Sequence, residues 1–215
     1  MIISRRLYSR EEPTRDAKSI YIFCEGLSRE ACYFNFFKEL DSRINVVVHQ
    51  FSPEDDNSPL GLLRMAEEST SSSEDGAAPK YELMENDEIW LVFDRDHDKA
   101  DSRAPQITEI REICNPKNDW EIAISNPCFE VWLYYHCNED KPDFEGIECS
   151  AEWKTFLNRA VRGGFDSRKH PGLIATAITN AESNFTQILG EPDIACTEVF
   201  RLAKVIYGFV KEKLL

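Results

Sequence analysis

What this chain has little of narrows the field first. Basic charge is in deficit: 25 lysines and arginines stand against 39 aspartates and glutamates, a formal net charge of −14. Non-specific affinity for nucleic acid comes largely from lysine and arginine on phosphates, so this balance excludes simple electrostatic wrapping. It does not exclude a nuclease, because carboxylates that hold metals add to the negative count and a local basic stripe can coexist with acidic surface. Long apolar runs are missing too. No stretch approaches the roughly 18 apolar residues of a spanning helix. Met1-Ile2-Ile3-Ser4-Arg5-Arg6 has no secretory apolar region, which predicts a cytoplasmic protein with no membrane partner. The seven cysteines (Cys24, Cys32, Cys114, Cys128, Cys137, Cys149, Cys196) are odd in number and form no C-x-x-C pair, so neither a zinc site nor a disulfide framework is indicated. No internal repeat is visible.

What is present suits an α/β enzyme. The 215 residues are 42% hydrophobic, enough for one compact α/β domain with appended helices or for two small lobes. The apolar run Ile89-Trp90-Leu91-Val92-Phe93 reads as a buried parallel strand, and Asp94-Arg95-Asp96-His97-Asp98 follows at its carboxyl end. Chemistry in open α/β sheets gathers outside strand ends, and residues two apart on an extended chain point the same way, so Asp94 and Asp96 are expected to converge. Close carboxylates repel unless a cation neutralises them, and a hard divalent ion with oxygen ligands, Mg2+ or Mn2+, is the natural solution. The plainer alternative is an acidic loop after an edge strand.

Ile20-Tyr21-Ile22-Phe23-Cys24 is a second apolar strand, followed at once by Glu25-Gly26 and by Ser28, a candidate N-cap for a helix from Arg29 to Leu40. Gly26 would let the backbone turn tightly, and parallel neighbours would bring Glu25 to Asp94 and Asp96. Asn45 to Phe51 reads as another strand, Pro59 opens a helix, and Ser69 to Pro79 is a small-residue insertion expected to be mobile. A helix around Ile107 to Cys114 precedes a fourth strand, Trp120 to Ser125. Asn126 then caps a helix whose first residue is Pro127, which places Glu130 one turn in, where it faces the acids or serves as a surface helix-dipole carboxylate. His97 is a candidate proton-transfer group, whereas His49 and His136 read as structural. Arg29 and Arg95 are candidates to offset phosphate charge. Arg162, Arg168 and Lys169 form a basic stretch that suits either phosphate contact or ordinary solvated surface. From Ala151 the pattern is helical, with stretches over Leu173 to Leu189 and Val199 to Leu214. These helices frame either a substrate groove or a homo-oligomer contact.

Three blocks carry a resemblance: Phe23 to Phe34 with Glu25-Gly26-Leu27-Ser28-Arg29-Glu30 at its centre, Glu88 to Asp96, and Ser125-Asn126-Pro127-Cys128-Phe129-Glu130-Val131-Trp132-Leu133. Together they resemble the RloB family, a Toprim-like group. The resemblance implies a compact Rossmann-like α/β unit with a mainly parallel four-stranded sheet, residues 1–140 forming the catalytic domain and 141–215 a helical extension packed on it. It implies that Glu25 takes the role of the glutamate after the first strand, that Asp94 and Asp96 take the D-x-D role, and that Mg2+ or Mn2+ serves as cofactor for phosphoryl transfer. Asp98, His97, Glu130 and Arg29 are accessory candidates. The implied function is a defence nuclease acting on DNA or RNA, with a protein partner from a defence locus. Two rivals stand beside it. One is a HAD-like phosphatase, against which the position of the motif after two earlier strands counts, and the other is a non-catalytic metal- or nucleotide-binding module of a defence complex.

Overall fold

The computed structural model describes residues 8–214 apart from 27, 53, 73–75, 97–99, 144–149 and 162. Apolar runs with period-two alternation form the sheet, since each strand has to cover two faces. On β1 (Lys18–Cys24), Ile20, Ile22 and Cys24 enter one core while Tyr21 and Phe23 enter the other. On β3 (Glu88–Asp94), Trp90 and Val92 join the first core and Ile89, Leu91 and Phe93 the second. Helices α2 (Pro59–Thr70) and α3 (Ala100–Cys114) cover one face through Leu62, Leu63, Ile107 and Ile110. The other face is covered by α1 (Arg29–Asn35), α4 (Glu130–Tyr134), α5 (Ser150–Ala160), α6 (Ile174–Ser183) and α7 (Val199–Val210). The result is a helix–sheet–helix α/β architecture with a Rossmann-like, mostly parallel sheet.

The strand order is β2-β1-β3-β4-β7, with β2 (Ile44–Val48) and β4 (Trp120–Asn126) parallel to their neighbours. The chain leaves β1 for β2 on one side and returns to β3 on the other. The C-terminal ends of β1 and β3 therefore meet at the point where strand order reverses, the place where open sheets leave a crevice. Among the described residues the sheet has five strands rather than the expected four. The fifth, β7 (Cys196–Thr197), pairs antiparallel with β4 and comes from the segment read as helical. The helix expected over Leu173 to Leu189 ends at Ser183, and β5 (Gln187–Ile188) and β6 (Glu191–Pro192) form a hairpin. Its turn holds Leu189 at φ 53° and Gly190 at φ 82°, a left-handed backbone that a right-handed helix does not use. Among the described residues no helix is long and apolar enough to cross a membrane.

Two capping expectations are corrected. Helix α1 stops at Asn35, and the chain turns through Glu39 at φ 60°, while the Ser28 side chain makes no capping hydrogen bond. Asn126 is the last residue of β4 and is joined to Pro127 by a cis peptide bond; α4 starts only at Glu130. Its amide Nδ2 donates instead to the Pro192 carbonyl at 2.8 Å. Of the insertion from Ser69 to Pro79, Ser69 and Thr70 belong to α2, and residues 73–75 lie outside the described residues.

A buried glutamate fastens the last helix to the sheet. Glu198 is fully buried at the start of α7, and its Oε2 accepts from Ile124 N at 3.3 Å and from Arg111 of α3 at 3.4 Å, while Oε1 lies 3.2 Å from Arg201. Removing one partner of such a cluster strands the others. Glu198→Ala should lower stability by about 2 kcal/mol, less than for a fully buried pair because both arginines are partly exposed. The measurement is the urea midpoint; an unchanged midpoint would show that the cluster is not structural.

Candidate functional site

The register of β1 and β3 decides where the acids lie. Cys24 pairs with Val92, and Glu25 N continues the ladder to the Val92 carbonyl at 3.0 Å, so the Glu25 side chain emerges beside the end of β3. Asp94 N donates to Glu25 Oε2 at 3.2 Å. Asp94 is the last residue of its strand, and its Oδ1 accepts from the backbone N–H of Phe129 at 2.7 Å. Asp96 follows a turn rather than a strand: its φ is 49°, and its N–H bonds to the Pro127 carbonyl at 3.0 Å. The expected alternation along an extended chain is therefore not what brings Asp96 round. A left-handed residue does, and aspartate is one of the few side chains that tolerates that conformation.

The two flanks of this edge differ. On the α3 side, Arg103 is a buried guanidinium whose Nη2 donates to Glu25 Oε1 at 2.6 Å and whose Nη1 donates to Oε2 at 2.8 Å. It also reaches Asp96 Oδ2 at 3.0 Å and donates to the Asp94 carbonyl at 2.8 Å. On the α1–α4 side, the Asp94 carboxyl faces Glu30 and Glu130, both buried. Burial pushes the Asp94 carboxyl well above the usual range, and the neighbouring Glu30, Glu25 and Glu130 push it further. Burial likewise lifts Glu30 to about 7, with Glu130 and Glu25 adding to the effect. Glu130 is paired with Arg29 at 2.8 Å, and Lys154 of α5 lies close enough to oppose the rise at both Asp94 and Glu30. Gly26 has a role other than the tight turn expected of it, since a Cβ there would fall 1.6 Å from Glu30 Oε2. Its missing side chain is the space the Glu30 carboxyl occupies.

Glu25, Glu30, Asp94, Asp96 and Glu130 thus gather round Arg29, Arg103 and Lys154. Five carboxyl groups stand against three cations; fully ionised they would leave two negative charges, which one divalent cation would neutralise, whereas without one, burial and crowding hold Asp94 and Glu30 toward the neutral form. The donors are all oxygen, which suits Mg2+ or Mn2+. Among the described residues no three His, Cys, Asp or Glu side chains stand as a finished ligand cage, and Arg103 holds both Glu25 oxygens. Of the other candidates, His97, Asp98 and Arg162 lie outside the described residues. Arg168 is exposed and forks onto Asp166 at 3.0 Å through both Nε and Nη2, and Lys169 closes the same turn through its N–H on the Asp166 carbonyl. Arg95 is tied to Glu191 of the β5–β6 hairpin at 2.6 Å. His136 Nδ1–H donates to the Trp132 carbonyl at 3.0 Å, its Nε2 accepts from Tyr33 Oη at 3.1 Å, and burial holds the ring down to about 3; His49, against Tyr81, falls to about 4 for the same first reason. Both are structural, as their sequence setting predicted.

Arg103, Glu30 and Lys154 escaped the sequence reading. Glu30 carried a signal: it stands in the first turn of the helix after Glu25, within the same block. Arg103 lies beyond the aspartate loop in a helix with no motif, and Lys154 sits on a distant helix, so only the fold brings either to the acids. A cavity of about 250 Å3 adjoins this flank, lined by Arg29 and Ser28 on one side and Phe165 and Ser167 on the other.

A family model described as RloB-like protein matches residues 20–206, a span that runs well past the three blocks ending at Leu133. No curated protein and no solved structure matches the chain.

The crowding at Glu30 has a pH signature. Its folded value of about 7 lies above the usual carboxyl value, so between roughly pH 4.5 and 7 the unfolded chain releases a proton that the native chain keeps, and this contribution to stability falls as pH rises. The depressed histidines slope the opposite way below pH 6.5, so the difference between wild type and Glu30→Gln isolates the effect. In chelator, Glu30→Gln should gain on wild type across that window by an amount on the order of 2 kcal/mol and then level off. A difference that stays constant from pH 4.5 to 8 would contradict the crowding.

Proposed function

The chain belongs to the RloB-like protein family, and from that premise we propose that it is a Toprim-type, metal-dependent nuclease that hydrolyses phosphodiester bonds of DNA or RNA in anti-phage defence. The observation that carries the reading is the placement of Glu25 at the end of β1 and of Asp94 and Asp96 at the end of the adjacent β3, at the strand-order reversal, with more carboxylate than local cation. Glu after the first strand and D-x-D after a later one is the Toprim signature.

On this reading Glu25, Asp94 and Asp96 would hold Mg2+ or Mn2+. When bound, such an ion polarises the scissile phosphate and lowers the pKa of a coordinated water. The chain's own groups do the remainder. Phe129 N–H fixes the Asp94 carboxyl in place, and the Pro127 carbonyl fixes the turn at Asp96. Glu25 would ligate the metal or act as the general base toward the attacking water. Arg29 and Lys154 give the acidic flank the cations that an anionic substrate needs, and the adjoining cavity offers room beside Arg29 for part of a nucleotide. A phosphodiester substrate is compatible with the chain's negative balance, because it has only to meet this local group and not a basic surface. The same reading places the protein in the cytoplasm with a partner from its defence locus.

The test is incubation of the purified protein with labelled plasmid, single-stranded DNA and total tRNA in Mg2+, Mn2+ or chelator. Cleavage should need the metal, and Asp94→Asn, Asp96→Asn and Glu25→Gln should each lower it at least about 100-fold, the scale of losing one preorganised charge-stabilising group. Folded variants that cut at the wild-type rate would contradict the assignment. No cleavage of any substrate with either metal would favour the non-catalytic binding module.

A further inference from the structure

The proposed hydrolysis leaves Arg103 without a task, although it is the most heavily engaged side chain at the site. Only 5% of it is exposed, and its two terminal nitrogens grip both oxygens of Glu25, reach Asp96 Oδ2 and bond the Asp94 carbonyl. A guanidinium is always charged and has donors only, and it enters a protein interior when carboxylates match its fork. Here the matched oxygens are those a divalent cation would require. Of the roughly four lone-pair sites on the Glu25 carboxylate, Arg103 uses two and the Asp94 N–H a third, and Asp96 Oδ2 lies 3.0 Å from the same nitrogen that grips Glu25 Oε1. A divalent ion and a guanidinium that draw on the same few oxygens repel each other, most strongly where water is excluded, so each weakens the hold of the other.

Resting on the metal reading above, we propose that Arg103 is the resident counter-ion of Glu25 and Asp96 and a built-in competitor of the divalent cation, so that the metal loads only as the guanidinium leaves Glu25. Arg103 then sets the metal concentration at which the site fills. In the absence of metal it offsets the repulsion that would otherwise push the ends of β1 and β3 apart. Metal and arginine are alternatives for one demand, and the protein is supplied with one of them from its own chain. A nuclease built in this way stays metal-free at low ion concentration without losing its fold.

The experiment measures Mn2+ binding to the full chain by electron paramagnetic resonance of the free ion, together with melting curves in chelator and in Mn2+, for wild type, Arg103→Met and Arg103→Lys. Arg103→Met should bind Mn2+ at least about 10-fold more tightly, the scale of one lost charge-assisted hydrogen bond. It should melt lower than wild type in chelator and recover most of the difference in Mn2+. Arg103→Lys, which keeps the charge but not the fork, should fall between the two, and it carries the comparison should Arg103→Met not fold in chelator. Adding Glu25→Gln to either variant should abolish the tightened binding. Equal or weaker Mn2+ affinity in both variants, with wild type still binding through Glu25, overturns the competition and leaves the metal site standing. Arg103 variants that melt lower by the same amount with and without Mn2+ assign a purely structural role and also overturn it. No Mn2+ binding by any of the proteins removes the metal reading itself, and the competition with it.

Discussion

The repulsion among carboxylates at the end of one strand pair is the constraint on which the rest of this molecule turns. Parallel pairing of β1 with β3 puts Glu25 directly against Asp94, and two helices that follow the sheet bring Glu30 and Glu130 to the same place. Water cannot relieve the repulsion, because Asp94, Glu30 and Glu130 are buried. Each remaining contact at the edge answers it in part: the Phe129 N–H on Asp94, the Arg29 pair on Glu130, Lys154 near Asp94 and Glu130, and the Arg103 fork on Glu25. None removes the excess of negative charge. On the proposed function, that excess is what a hard divalent cation held by oxygen-only donors would neutralise.

The C-terminal part of the chain takes part in that arrangement. Trp153 anchors α5 in the core that α1 and α4 share, and this is what holds Lys154 over the acids. Cys196–Thr197 extends the sheet beyond β4, and Glu198 locks the last helix to β4 and α3. The β5–β6 hairpin reaches back to the aspartate turn through the Arg95–Glu191 pair and the Asn126–Pro192 bond. The extent of the family match, through residue 206, agrees with this dependence of the site on late segments.

The parallel strands and the acids at their ends were legible because buried strands write themselves as apolar runs and the loops after them carry the polar chemistry. Glu25, Asp94, Asp96 and Glu130 do come to one edge. What the sequence hid was long-range or a matter of backbone shape. A two-residue strand such as Cys196–Thr197 has no periodicity to detect, and the apolar Ile188 and Leu189 imitate a helix face although the turn leaves both exposed. The Ser28 and Asn126 caps failed because capping residues are equally at home in turns, where their side chains find other partners. Asp96 was assigned to the correct place for an incomplete reason, since a left-handed turn and not strand alternation orients it. Arg103 could be found only by folding the chain, for an arginine on a helix is ordinarily a surface residue.

On the proposed function, the acids at the ends of β1 and β3 form one divalent-cation site. Anomalous X-ray scattering from crystals of the protein soaked in Mn2+ tests it most directly. A single strong peak bounded by Glu25, Asp94 and Asp96, with the Arg103 guanidinium withdrawn from Glu25, is the expected result. Crystals saturated with Mn2+ that show no peak at this edge, and Arg103 still forked onto Glu25, would contradict it.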